Sequence, residues 1–329
     1  MHKLVVFGSA RIDAFMQLPA KEADQLCSLD TKLCVIQLAY SAKLPLRQVD
    51  FLTGGNGANV AIGAKRLGVE STLVCELGEG MLAEKVFSDL DKEIHTKYVS
   101  RTPGVRQGFG AVINYQGERT ILSYYAPTRP VFPHDVEPAE WAYLTSIGDN
   151  FEEFYEEVYT WLENNKTTRV AFNPGGRQIK KGKEWLSKYL ARTEVLLVNR
   201  EEAQDIVGLK NTHGNEKQLL DALHETGPRI CVVTDGREGS FVKADNDYLR
   251  VGILPIDAIE RTGAGDASSA GFISALISGE SLETALVWAT VNSASVIGFI
   301  GPEDGLIKKE DLPVWLERAK SSDLLPQKF

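Results

Sequence analysis

Residues 169–234 read RVAFNPGGRQIKKGKEWLSKYLARTEVLLVNREEAQDIVGLKNTHGNEKQLLDALHETGPRICVVT. Three short apolar runs stand out: Arg169–Phe172, Val195–Val198 and Arg229–Thr234. Between them lie stretches with helical spacing, Gly182–Ala191, Glu201–Val207 and Glu216–Glu225. Strands that are apolar on both faces and alternate with helices belong to a parallel sheet covered on both sides. The pattern extends upstream to strands at Leu4–Phe7, Ser71–Leu77 and Tyr143–Ile147 and to helices at Leu82–Leu90 and Glu152–Asn164. Downstream it predicts helices over Ala267–Ser278, Leu282–Ile297 and Asp311–Ala319. The expected fold class is α/β, a doubly wound and mostly parallel sheet.

Two stretches break the alternation. Residues 11–53 carry β-like pieces near Leu33–Leu38 and Arg47–Leu52. Residues 105–125 alternate, are rich in β-branched and aromatic side chains, and predict a hairpin turning at Gln116-Gly117. Both are assigned to a small accessory sheet on one domain spanning 1–329, since no repeat or clear linker divides the chain.

Composition narrows the function class. The chain has 329 residues, 43% hydrophobic and 25% charged, with a net charge of −9. That length and apolar share suffice for a sizeable core. The negative balance argues against nucleic-acid binding, which needs clustered positive charge. No apolar run is long enough for a membrane span. Cys75 and Cys231 lie in apolar, strand-like runs and read as core residues. No Cys/His cluster has zinc spacing, and cysteine usage points to a reducing cytoplasm.

The sharpest local feature is Glu260-Arg261-Thr262-Gly263-Ala264-Gly265-Asp266, followed by ASSAGFISALIS. Its glycines let backbone approach an anion, and the helix start presents unpaired N–H groups and a positive dipole end. Asp266 in the first turn would take a proton from an attacking hydroxyl. The plainer alternative is a tight turn with an acidic residue stabilising the helix start. Taken alone, the motif leaves both readings open. No G-x-x-x-x-G-K-[ST] loop occurs, and neither glycine cluster gives G-x-G-x-x-G.

Four ordered landmarks together resemble the PfkB (ribokinase-like) carbohydrate kinase family. They are Gly54-Gly55-Asn56-Gly57-Ala58-Asn59, Asn199-Arg200-Glu201-Glu202, Thr234-Asp235-Gly236 and Gly263–Asp266. The resemblance covers about residues 3–316 and implies a three-layer αβα domain with a β-sheet lid. It implies Asp266 as base and the N–H groups of Gly263, Ala264 and Gly265 as an anion hole. It implies that Asn199 and Glu202 hold hydrated Mg²⁺ and the phosphate region, with Glu202 reaching the metal through water. Thr234 and Gly236 would contact the ATP phosphates, and Asn292 would border the adenine. Plainer roles stand beside these: a helix cap for Asn199, a turn at Thr234–Gly236, a locally satisfied helix residue for Asn292.

For the substrate, the resemblance implies that Asp13 bridges two hydroxyls, that Gly55 permits close approach, and that Asn56 and Asn59 donate and accept. An Asx-turn for Asp13 and a helix cap for Asn59 are the alternatives. Arg106, Tyr124 and Arg129 lie on or after the lid hairpin and read as solvated. Asp149-Asn150 follows a strand at the edge where pockets form. Glu260 and Arg261 depart from the family, which has Asp or a short polar residue and then a small one. Monovalent-cation activation is therefore left open, and Arg261 either meets a phosphate or pairs with Glu260.

The expected activity is ATP-dependent phosphorylation of a hydroxyl on a small sugar-like substrate. A nucleoside kinase of the same family is the alternative, with Phe51, Phe109, Tyr124 and Tyr125 available for a nucleobase slot. A catalytically weak ligand sensor is a third reading, favoured only by Glu260-Arg261. The open strand edge of the lid offers a surface for homodimerisation.

Overall fold

The computed structural model describes residues 3–27, 34–116 and 118–329. From the N-terminus the strands are β1 (Leu4–Phe7), β2 (Arg11–Gln17), β3 (Asp24–Cys27), β4 (Cys34–Gln37) and β5 (Gln48–Gly54). Then come β6 (Ser71–Glu79), β7 (Val99–Arg106), β8 (Phe109–Tyr115), β9 (Glu118–Tyr124), β10 (Trp141–Leu144) and β11 (Arg169–Phe172). The last five are β12 (Val195–Asn199), β13 (Ile230–Thr234), β14 (Ser240–Ala244), β15 (Asp247–Val251) and β16 (Gln327–Lys328). The first helices are α1 (Asn56–Arg66), α2 (Met81–Glu93), α3 (Glu152–Asn164), α4 (Gly176–Lys180) and α5 (Lys183–Leu190). They are followed by α6 (Arg200–Val207), α7 (Glu216–His224), α8 (Ala264–Ile277), α9 (Leu282–Val296) and α10 (Leu312–Ser321).

Ten strands form one sheet in the order β16-β15-β14-β13-β12-β11-β10-β1-β6-β7. It is parallel from β7 to β13 and antiparallel from β13 to β16. Side chains alternate across it. Leu4 and Val6 enter one core with α1, α8 and α9, whereas Val5 and Phe7 enter the other with α3, α5 and α7. Helices therefore cover both faces, as the alternation predicts.

The strand order reverses beside β1, whose neighbours β6 and β10 continue the sheet in opposite directions. Such a switch opens a crevice at the carboxyl ends of the strands. The second sheet, β5-β2-β8-β9, comes from the two stretches that broke the alternation. A third pair, β3 and β4, is antiparallel and carries a Cys27–Cys34 disulfide. Only Cys75 and Cys231, both buried, thus remain as free thiols. The disulfide runs against the reducing compartment expected from cysteine usage. No helix among the described residues is long and apolar enough to cross a membrane.

Helices α8 and α9 are apolar nearly all round and largely buried. Their backbones approach closely at Gly271, where a Cβ would lie 2.6 Å from the Trp288 carbonyl oxygen and 2.9 Å from Ala289 Cα. Gly271→Ala is expected to cost about 1–3 kcal/mol by overpacking, measured by urea unfolding. A neutral substitution would contradict that tight helix contact.

Candidate active site

A cavity of about 290 Å³ sits over the crevice. Its floor is built from segments that follow strands: Ser9 and Ala10 after β1, Ser146–Gly148 after β10, Gly175–Gln178 after β11 and Glu202 after β12. Glu76 and Gly78 enter from β6, and Asn56 from the start of α1. The second sheet roofs it with Arg11 and Tyr124, joined by Gln107 and Gly108 before β8 and Tyr125 after β9. This sheet thus takes the position of a lid.

Asp266 lies in the first turn of α8, behind Gly263 in the left-handed region at φ 80°. A Cβ at Gly263 would stand 2.4 Å from the Pro302 Cβ, so glycine is required there both by conformation and by space. The Ala264 N–H donates to the Arg261 carbonyl at 3.3 Å. Among the described residues the N–H groups of Gly263, Gly265 and Asp266 have no partner. The open donors are therefore these three, rather than the trio that included Ala264.

Asn59, buried on α1, donates from Nδ2 to Asp266 Oδ2 at 2.6 Å. Burial pushes the Asp266 carboxyl up to about 7; the Asn59 bond lowers it and the Glu202 charge raises it further. Gly55 caps α1 at φ 103°, and Asn56 faces the cavity. These groups meet although Asn59 and Asp266 are 207 residues apart in sequence.

Asn199 and Glu202 form a capping box on α6. The Glu202 N–H donates to Asn199 Oδ1 at 2.8 Å, and the Asn199 N–H to Glu202 Oε2 at 3.0 Å. The helix-cap reading of Asn199 therefore holds, while Glu202 also lines the cavity. Burial raises the Glu202 carboxyl above its usual value, with Glu201 and Asp205 adding to the rise. Thr234 ends β13, and Gly236 follows in a short 3-10 turn where an added Cβ would meet nothing within 4 Å. Asn292 is fully buried, donates to the Ala267 carbonyl at 2.8 Å and accepts from the Ile307 N–H at 2.9 Å. One end of its amide joins α9 to α8 and the other holds the segment before α10, which is the plainer of its two readings.

Asp13 is 2% exposed and, like Asn59 and Asp266, is not among the residues lining the cavity. Arg11, its neighbour on the same face of β2, approaches it through Nε at 2.9 Å and lines the cavity in its place. Arg261 does not pair with Glu260. Its Nη1 is 3.7 Å from Glu118 on β9, while Glu260 lies 3.6 Å from Arg119 on the same strand. Two reciprocal ion pairs thus tie the lid edge to the loop before α8. Glu260 Oε1 also accepts from the Thr262 N–H at 2.8 Å and hydroxyl at 2.6 Å.

Several cavity residues escaped the sequence reading: Arg11, Glu76, Gln107 and Arg177 among them. Burial pushes the Glu76 carboxyl up to about 7. A glutamate inside an otherwise apolar strand was the available signal. Tyr124 does reach the cavity, whereas Arg106 and Arg129 do not. Asp149 pairs with Arg177 Nε at 2.6 Å.

Residues 23–308 match the model of the pfkB family carbohydrate kinase. The chain belongs to this family. It is 25% identical over 286 residues to a ribokinase from Staphylococcus aureus, covering 84% of this chain and 86% of the relative. It is also 25% identical over 269 residues to a nucleoside kinase from Methanothermobacter thermautotrophicus, covering 79% and 82%. The structure of Arabidopsis thaliana ribokinase with ribose and ATP superposes at a TM-score of 0.77 and 20% identity, over 96% of this chain and 99% of that one. Family membership makes this a sugar or nucleoside kinase with a ribokinase-like α/β fold.

Proposed function

We propose that this chain transfers the γ-phosphoryl group of ATP to a hydroxyl of a small sugar held beneath the lid, with Asp266 as the base. The observation that carries the reading is the carboxyl of Asp266, pushed up to about 7, beside unpaired N–H groups at the start of α8. A base poised near neutral pH removes the hydroxyl proton as the oxygen attacks phosphorus. The N–H groups of Gly263 and Gly265, with that of Asp266, stabilise the charge on the phosphoryl oxygens.

The remaining residues position the reactants. Asn59 fixes the orientation of the Asp266 carboxylate. Asn56 presents its polar side chain to the sugar, and Gly55 lets α1 start against the Ser9–Ala10 backbone, where a Cβ would lie 2.7 Å from the Ser9 carbonyl oxygen. Thr234 and the open backbone at Gly236 suit a triphosphate. No cluster of three or more metal-ligating side chains occurs among the described residues. Mg²⁺ bound to nucleotide phosphates needs only one or two carboxylates, so Glu202, which faces the cavity, fits that task. When bound, the ion would neutralise phosphate charge. The lid excludes water from the transfer.

The nucleoside reading is favoured by Tyr124 and Tyr125, which give the cavity two aromatic side chains. Coupled ADP release with Mg·ATP against sugars, sugar acids and nucleosides separates the two. Stimulation by a sugar or sugar acid supports the proposal, and stimulation by nucleosides alone overturns it in favour of the second reading. The raised Asp266 carboxyl also fixes a pH dependence. Below about 7 the carboxyl is protonated and cannot accept a proton, so kcat should rise with pH through that value. A flat profile from pH 5.5 to 8.5, a range of about 1.5 units either side, would contradict the assignment.

A further inference from the structure

The cavity is lined by two guanidinium groups, one from its roof and one from its floor. Arg11 comes from the lid strand β2 and Arg177 from α4, and both line the cavity. Tyr125 joins them: Arg177 lies over its ring at 3.8 Å. Burial by itself would raise the Tyr125 phenol. Hydrogen bonds with Ser123 and Arg177 and the charges of Arg177 and Arg11 outweigh burial and hold the phenol below its usual value. Arg177 thus touches Tyr125 directly, and Arg11 lines the same cavity.

Each guanidinium already has a carboxylate. Asp13 is nearest to Arg11 through Nε, at 2.9 Å, and Asp149 to Arg177 through Nε, at 2.6 Å. A guanidinium contacted at Nε keeps terminal nitrogens for a second acceptor, which is how arginine holds an oxyanion in a fork. Buried Asp13 holds Arg11 and the half-exposed Asp149 holds Arg177, and both arginines line the cavity. Glu76 lines the same space, but its carboxyl is pushed up to about 7, so near neutral pH it is in good part uncharged. Glu202 also lines the cavity; its charge raises the Asp266 carboxyl while that of Arg11 lowers it.

We propose that Arg11 and Arg177 form an oxyanion subsite, so that the phosphate acceptor is a sugar bearing a carboxylate or phosphate rather than a neutral sugar. This rests on the kinase reading above and names the substrate class of that site. Arg11 covers the carboxylate expected to bridge two sugar hydroxyls and puts a cation where a neutral sugar would need an acceptor.

The test uses matched pairs of acceptors: fructose 6-phosphate with fructose, and gluconate with glucose. Binding is measured by calorimetry and turnover by ADP release, for the native protein, R11Q, R11K and R177Q. The native protein should prefer the charged member of at least one pair. R11Q and R177Q should each reduce the preference by about 10- to 100-fold, mainly through KM. R11K should restore part of it. The pair showing the preference tells carboxylate from phosphate. Equal use of charged and neutral members, or equal weakening of both in R11Q, overturns the subsite and leaves the kinase reading standing. Arg11-dependent binding of a charged member without ADP release supports the subsite and overturns the kinase reading. Failure of every member to bind overturns the subsite.

Discussion

Asp266→Asn should lower kcat by at least ~100-fold while sugar affinity changes little. The asparagine preserves the size of the side chain and can still bond to Asn59, which lies 2.6 Å from the carboxylate in the native chain. It cannot accept the proton of the attacking hydroxyl. The loss should therefore appear in kcat, with KM for the sugar close to native, because the pocket contacts of Asn56 and the lid are untouched. The pH profile offers an independent check. The rise of kcat through about 7 in the native enzyme should vanish in the variant's residual activity. An equal loss in kcat and affinity would instead describe a site that has collapsed.

Arg200→Ala should destabilise the fold by about 3–5 kcal/mol. Arg200 is 2% exposed. Its Nε bonds to Asp235 at 2.7 Å, its Nη2 to Glu216 at 3.0 Å, and its Nη1 to the carbonyl and hydroxyl of Thr212 at 3.0 Å. One buried cation thus joins the first turn of α6 to the loop before α7 and to the turn after β13. Removing it leaves two carboxylates and a carbonyl short of a partner in a poorly solvated space. Asp235 sits between Thr234 and Gly236, so the same variant should also raise KM for ATP. Urea unfolding gives the first quantity and steady-state kinetics the second. A cost below about 1 kcal/mol would mean that water replaces the guanidinium freely.

The parts of the fold legible in sequence were those with a clean period. Glu152–Asn164 and Arg169–Phe172 match their elements residue for residue. Strand β10 lies at Trp141–Leu144, earlier than the expected Tyr143–Ile147. Strand β7 went unseen because Pro103 and Gly104 interrupt it. It is the edge strand of the large sheet, where a missing N–H is tolerated. The β14–β15 hairpin also escaped, since its turn uses Asp245 at φ 50° in place of the more recognisable Asn-Gly. Leu33 and Gly117, within the expected β piece and turn, lie outside the described residues.

The candidate site was legible in its backbone motifs and less so in its charges. The glycine turn before α8 and the cap on α6 follow from local residue order. The ion pairs of Glu260 and Arg261 with Arg119 and Glu118 join segments far apart in the chain, so no local pattern announces them. Arg11 was nearer to hand. Residues two apart on a strand share a face, so an arginine two before the expected sugar-binding aspartate was bound to meet it. The proposed oxyanion subsite starts from that contact.

The central claim is transfer to an acceptor hydroxyl under the control of Asp266. A single-turnover experiment with γ-labelled ATP, excess enzyme and the acceptor that best stimulates ADP release tests it most directly. Label is expected in a phosphorylated acceptor, with little in free phosphate, and at a rate at least ~100-fold lower for Asp266→Asn. Label released mainly as free phosphate, or transfer at the native rate by the variant, would contradict it.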